Sequence, residues 1–163
     1  MPEIAIDACV FIHLLNIQEK NPDGHIDKLL SYLFKEGFML LVDSKGKIAK
    51  DYAAQVIPMI KGGYEEGNQR ILLTGWMLLD RHTTVESDPT DQLMTAIKNV
   101  IHEVAEHADR AFVYVACKSN SDLISNDEIH ILGRRGDLLK AAKKVGYKNT
   151  AIVSSREACE GIA

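Results

Sequence analysis

The feature that most constrains this chain is the alternation of short apolar runs with segments whose apolar residues recur at helical spacing. The short runs are typical of buried strands, and they lie at residues 3–7, 38–42, 123–125 and 151–153. Helical patterns fill most of the intervals between them. This order predicts an α/β fold with three layers, α/β/α, around a central and mostly parallel sheet.

Length and charge set the class of protein. The 163 residues, of which 46% are hydrophobic, are enough for one core, so we expect a single domain over residues 1–163. The net charge of −4 excludes a polybasic protein that binds nucleic acid through bulk charge. No run approaches the roughly 18 apolar residues of a membrane span, and the N-terminus lacks the pattern of a signal peptide. We therefore expect a soluble, cytoplasmic protein without a membrane partner.

The middle of the chain is predicted to be helical. A helix over residues 45–57 is followed by a predicted loop, because Pro58 and a glycine pair interrupt the pattern. A further helix is predicted over residues 68–79. One long amphipathic helix is predicted to begin after Pro89 and to end near His107.

Acidic residues follow three of the apolar runs. Asp7, Asp43 and Asp127 each stand at or just beyond the end of a predicted strand. Because the carboxyl ends of parallel strands meet at one edge of a sheet, we expect these carboxylates to lie close together there. They would repel one another unless a cation neutralised them, and oxygen ligands suit Mg²⁺ or Mn²⁺. Metal-assisted hydrolysis of phosphodiesters is the reaction class that this pattern indicates.

Three segments resemble the acidic motifs of the PIN-domain nucleases, in the usual order of that family. They are Asp7-Ala8-Cys9-Val10, the run DRAFVYVA at residues 109–116, and LISND at residues 123–127. The similarity extends over nearly the whole chain and includes the toxin ribonucleases of toxin–antitoxin pairs, although this chain has a longer middle segment at residues 62–89. It implies a PIN-like fold. It also implies a helix for residues 108–117, which periodicity alone leaves open between helix and strand.

The resemblance implies a set of metal ligands. Asp7, Asp109 and Asp127 match the first, third and fourth acids, which in such nucleases surround one or two Mg²⁺ or Mn²⁺ ions and the attacking water. The second acid stays open between two residues. Family members carry a Glu where this chain has Asp51, one methylene shorter, and Asp43 is the rival. Taken alone, an aspartate at these places is more typical of a turn or a helix cap.

Substrate contact is predicted for basic and polar side chains near these acids. Lysines lie close to the second acid, and the most basic segment of the chain begins at residue 134, although its later lysines are equally typical of a solvated helix face. Polar residues before Asp127 are suited to orient a carboxylate or to contact a phosphate. The assigned residues are Lys45, Lys47, Ser125, Asn126, Arg134 and Arg135.

The histidines are not predicted to bind a metal. His102 and His107 do not form the HExxH zinc motif, because the second histidine comes one residue too late for the same helical face. We interpret both as part of the polar face of the long helix, and His130 as a packing or surface residue. The three cysteines are widely spaced and are interpreted as reduced thiols.

The leading hypothesis is a ribonuclease that depends on Mg²⁺ or Mn²⁺, with Asp7, Asp51, Asp109 and Asp127 as its acids. RNA is favoured over DNA as substrate by the resemblance alone. The alternative is a PIN-like module with a weakened site, which binds RNA or a protein without cleaving it. The resemblance also allows an antitoxin or another protein as partner, and a homodimer.

Overall fold

The structure, a computed structural model, describes residues 2–15, 21–62, 74–75, 77–78, 80–103 and 108–162. Five parallel strands form one sheet in the order β3-β2-β1-β4-β5. The strands are β1 (Glu3–Ile6), β2 (Met39–Asp43), β3 (His82–Val85), β4 (Leu123–Ile124) and β5 (Ile152–Val153).

Helices connect the strands and cover the sheet. They are α1 (Ala8–Leu15), α2 (His25–Glu36), α3 (Lys47–Gln55), α4 (Ile57–Gly62), α5 (Gln92–Val100), α6 (Asp109–Lys118), α7 (Arg135–Lys144) and α8 (Ser155–Glu160), with a 3-10 turn at Leu132–Arg134. Helix α6 packs on β1, β2 and β4, and α5 packs on α6 and α7, while α1 contacts α2 and α3, and α8 packs on α2. The predicted three-layer α/β/α fold is confirmed. Across the described ranges, no helix combines the length and the apolar character that crossing a bilayer requires.

Helix α6 resolves the apolar run that periodicity left ambiguous. Every side chain from Ala111 to Cys117 is buried. A helix that is covered on all sides reads as apolar all round, so it shows no amphipathic stripe. The helix implied for this segment is therefore present.

Strand β3 was not predicted from the sequence, which placed only a helix over residues 68–79 in the longer middle segment. It pairs in parallel with β2, in a register that runs from Leu40↔His82 to Asp43↔Val85. It is an edge strand with partly exposed residues, so it lacks the apolar run of a central strand. The predicted helix over residues 68–79 falls mostly outside the described residues, and within that range residues 74–75 and 77–78 are helical.

The predicted loop after α3 is wrong, because the chain enters α4 at Ile57. Pro58 stands in the first turn of α4, where a missing N–H costs no helical hydrogen bond. Proline therefore begins a new helix here.

The predicted long helix is also wrong at its C-terminal end, because α5 ends at Val100 and not near His107. The Arg134 guanidinium donates to the Val100 carbonyl at 3.1 Å. Arg110 donates to the carbonyls of Ile101, at 2.6 Å, and Glu103, at 2.9 Å. Arginines from elsewhere in the chain thus satisfy the carbonyls at the end of the helix. His102 accordingly lies outside any helix.

Asp43 closes β2 and caps α3, and this role predicts a loss of stability on mutation. Its two carboxylate oxygens accept the N–H groups of Ile48, at 2.8 Å, and Lys47, at 3.1 Å. We expect Asp43→Ala to lower the free energy of unfolding by about 1–2 kcal/mol in urea titrations with EDTA present. Asp43→Asn keeps one acceptor oxygen and should lose less. An alanine variant as stable as the wild type would contradict the cap.

Candidate metal centre

The register of β1 and β4 brings Asp7 beside Ser125. Ala5 pairs with Leu123 and Ile6 with Ile124, so the next residue of each strand stands at the same carboxyl edge. The strand order reverses between these two strands, and at such a reversal the connections diverge and leave a crevice. The Ser125 hydroxyl donates to Asp7 Oδ2 at 2.8 Å. The two residues therefore form the floor of this crevice.

Asp7 is 5% exposed, and its burial decides its protonation. Burial raises the pKa of the Asp7 carboxyl to about 6, the hydrogen bond from Ser125 opposes this rise, and the charge of Asp109 adds to it. A positive charge nearby would lower this pKa and favour the ionised carboxylate. The site therefore favours a bound cation electrostatically.

Asp127 uses one carboxylate oxygen to shape its own loop. Its Oδ1 accepts the N–H groups of Ile129 and His130, each at 3.0 Å. Its own N–H donates to the Ser125 hydroxyl at 3.1 Å, which links it to the floor of the crevice. Oδ2 points to the side chain of His130. Asp127 thus shapes its turn with one oxygen and keeps the other for the site.

His130 joins Asp109 and Asp127 in one group, which we call the acid–imidazole group. His130 Nδ1 lies 3.3 Å from Asp127 Oδ2 and 3.5 Å from Asp109 Oδ2. One ligand atom from each residue lies within 4.8 Å of the others. Ligands held about 2.1 Å from a cation at right angles stand about 3 Å apart, so these separations fit a small divalent cation. The group is able to hold a metal ion.

The sequence interpretation of His130 as a packing or surface residue missed this contact. A signal was present, because an aspartate that caps a turn brings the residue three positions later back against its own carboxylate. The imidazole also adds a nitrogen to a ligand set that the sequence analysis expected to contain oxygen only.

Asn126 fastens the loop between Ser125 and Asp127 to α8. Its amide donates to the Ser155 hydroxyl at 3.0 Å and accepts the Ser155 N–H at 2.9 Å. The Ser155 hydroxyl in turn lies 2.9 Å from Nε2 of the buried His25. These contacts give Asn126 a positioning role within the loop, whereas its predicted contact with substrate stays a prediction.

Neither candidate for the second acid lies in the acid–imidazole group, among the residues that the structure describes. Asp43 caps α3, as shown above. Asp51 is half-buried on α3 and accepts a hydrogen bond from Gln55. The neighbouring Tyr52 hydroxyl donates to the Ile6 carbonyl, directly before Asp7. Burial, then the charges of Asp7 and Asp51, raise the pKa of Tyr52.

The basic residues assigned to substrate differ in their surroundings. Lys45 and Lys47 are exposed at the start of α3. Arg134 instead pairs with the Glu103 carboxylate, and Arg135 pairs with the Glu157 carboxylate at 2.7 Å. The two arginines therefore already stabilise the fold through ion pairs, which lowers their capacity to bind a phosphate.

In comparisons with known proteins, no protein family and no curated protein matches this chain. The resemblance to the PIN-domain nucleases therefore stays a prediction that depends on the three motifs.

The raised pKa of Asp7 predicts how stability varies with pH in the absence of metal. The unfolded carboxyl titrates near pH 4 and the folded one near pH 6, so the folded chain binds more protons between these values. Stability therefore falls as the pH rises through this window. Asparagine does not titrate, so we expect the free energy of unfolding of Asp7→Asn, relative to that of the wild type, to rise by about 2–3 kcal/mol between pH 4 and pH 7. Urea unfolding in EDTA measures this, and parallel pH curves would refute it.

Gly133 predicts a steric test of the loop that carries Asp127 and His130. A Cβ at this position would lie 2.3 Å from the Glu128 carbonyl oxygen. Gly133→Ala should therefore displace the turn and lower the free energy of unfolding by about 1–3 kcal/mol. Gly136→Ala is the control, because a Cβ there meets no atom within 4 Å and alanine favours the helix. Equal stability of the two variants in urea would contradict this packing.

Proposed function

We propose that this protein is a metal-dependent ribonuclease whose centre is the acid–imidazole group together with Asp7. The observation that carries the proposal is the convergence of Asp109, Asp127 and His130 on one point at the carboxyl edge of the sheet. These residues come from α6 and from the loop after β4. Their convergence is what a shared cation requires, and the three motifs that resemble PIN-domain nucleases include both aspartates.

Each side chain has a defined task in this proposal. Asp109 Oδ2, Asp127 Oδ2 and His130 Nδ1 hold the cation. Asp7 lies at the floor of the crevice, where its negative charge balances the cation and its carboxylate accepts a proton from water. A bound divalent cation lowers the pKa of water and offsets the negative charge of the scissile phosphodiester. Ser125 keeps the Asp7 carboxylate in position through its hydrogen bond.

The imidazole narrows the choice of cation. Mg²⁺ prefers an octahedral shell of oxygen ligands, whereas Mn²⁺ binds carboxylates and also accepts nitrogen ligands readily. We therefore propose Mn²⁺ as the better cofactor of the two that the sequence analysis left open. Asp51 remains the proposed second acid, because the resemblance implies it and because its neighbour Tyr52 donates to the Ile6 carbonyl, directly before Asp7.

Cleavage of a mixed RNA with Mn²⁺, with Mg²⁺ and with EDTA tests the function. We expect wild-type cleavage with Mn²⁺, weaker cleavage with Mg²⁺ and none with EDTA. Asp127→Asn should lose at least about a hundredfold in rate, because its amide nitrogen cannot replace Oδ2 as a ligand. Its remaining oxygen preserves the cap of the turn, so the variant should fold.

The matched control is Glu128→Gln, which removes the same charge from the next, exposed residue of the same loop. It should keep full cleavage. Mn²⁺ should also raise the melting temperature of the wild type and of Glu128→Gln, but not of Asp127→Asn or Asp109→Asn, because an ion that binds the folded state stabilises it. Equal cleavage by the wild type and Asp127→Asn after purification would refute the proposal. Equal cleavage of single-stranded DNA would refute the preference for RNA.

One observation favours the alternative function, a module that binds RNA or a protein partner without cleaving. Asp51 accepts a hydrogen bond within its own helix, and it lies outside the acid–imidazole group. Binding of RNA by the wild type in Mn²⁺, with no cleavage and no effect of Asp51→Asn, would support this alternative over the nuclease.

A further inference from the structure

A groove of about 650 Å³ lies between α5 and α7. Its lining includes Arg134, the last residue of the 3-10 turn. We call it the basic groove. Its polar and charged lining consists of Asn99, His102, Arg134, Asp137, Lys140 and Lys144.

The charge of the basic groove comes mainly from the end of α7. Arg134 is paired with Glu103, and Asp137 opposes part of the positive charge. Lys140 and Lys144 are one helical turn apart and exposed. Residues 140–148 hold four lysines and no acid, in a chain whose net charge is −4. A smaller groove of about 340 Å³ on the other side of α7 shares Lys140 and adds Lys143 and Lys148.

The basic groove ends beside the metal centre. Arg134, which lines it, closes the 3-10 turn that follows the loop of Asp127 and His130. Backbone hydrogen bonds tie this turn to the loop, because the Leu132 N–H donates to the Asp127 carbonyl at 2.8 Å and the Arg134 N–H donates to the Ile131 carbonyl at 3.2 Å. A chain of phosphates that occupies the groove would therefore extend to the acid–imidazole group.

We propose that the basic groove binds the phosphate backbone of single-stranded RNA and leads it to the metal centre, an inference that rests on the proposed nuclease function. Lys140 and Lys144 bind successive phosphates, since an ammonium group makes a non-specific contact of this kind. A single strand fits better than a duplex, because a cleft between two packed helices admits a flexible chain. Arg134, which was predicted to contact substrate, lines this groove while paired with Glu103.

Binding of a fluorescent single-stranded RNA of about 10–15 nucleotides, in EDTA so that no cleavage occurs, tests the groove. We expect the double variant Lys140→Gln/Lys144→Gln to weaken binding about tenfold at low salt. The slope of log K against log salt should fall by about 1.4, because two phosphate contacts on a single strand are lost. The matched control is Lys28→Gln/Lys35→Gln, which removes two exposed lysines from α2 and should change neither value.

Hydrolysis of a small diester, bis(4-nitrophenyl) phosphate, with Mn²⁺ separates this inference from the proposed function, because that substrate reaches the metal centre without spanning the groove. Loss of RNA binding in the groove variant, with no diester hydrolysis by the wild type, would uphold the groove and refute the nuclease. Diester hydrolysis with equal RNA affinity in both double variants would refute the groove and uphold the nuclease. Displacement of the RNA by polyglutamate at a lower concentration than by unlabelled RNA would overturn RNA as the occupant.

Discussion

The parallel pairing of β1 with β4 is the constraint on which the rest of this structure depends. It joins the first strand to a segment more than a hundred residues later, and it reverses the order of the strands at that point. A register shift of one residue would turn Asp7 to the other face of the sheet and separate it from Ser125. Ile6 and Ile124 are fully buried on both sides of this pairing, so the hydrophobic core holds the register that the crevice needs.

The crevice can hold several carboxylates because most of their oxygens accept hydrogen bonds from neighbouring groups. Ser125 serves both sides of the loop, since it donates to Asp7 and accepts from the Asp127 N–H. Asn126 then fastens the same loop to Ser155, and Tyr52 fixes the end of β1 from the opposite side. These hydrogen bonds do not neutralise the negative charge of the carboxylates. One imidazole lies between Asp109 and Asp127, and the pKa of Asp7 is raised mainly by burial, with the charge of Asp109 adding to the rise.

The sequence predicted those parts of the fold that local patterns determine. Strands with buried faces on both sides read as apolar runs, as β1 and β2 do. Strand β3 escaped because an edge strand that is half exposed carries no such run. The end of α5 was not predicted because the side chains of Arg110 and Arg134 bind backbone carbonyls there, and such contacts leave no periodic pattern in the sequence. At the site, the sequence showed that Asp43 and Asp127 follow strands. It could not show that Asp43 caps a helix whereas Asp127 belongs to the acid–imidazole group, because this difference depends on where each carboxylate points.

Electrostatic repulsion explains why the proposed contacts to the cation and the proposed contacts to RNA lie on two parts of the surface. A crevice lined with carboxylates repels phosphate, so the proposed substrate cannot be held there by the acids themselves. Attraction has to come from a neighbouring surface, and the lysines of α7 supply it without entering the crevice. An ion pair with Glu103 holds Arg134 in the lining of the groove, at the end of the 3-10 turn that follows the acidic loop. In a chain of net charge −4, the proposed function therefore needs a negative centre for a cation and, beside it, a positive groove for a polyanion.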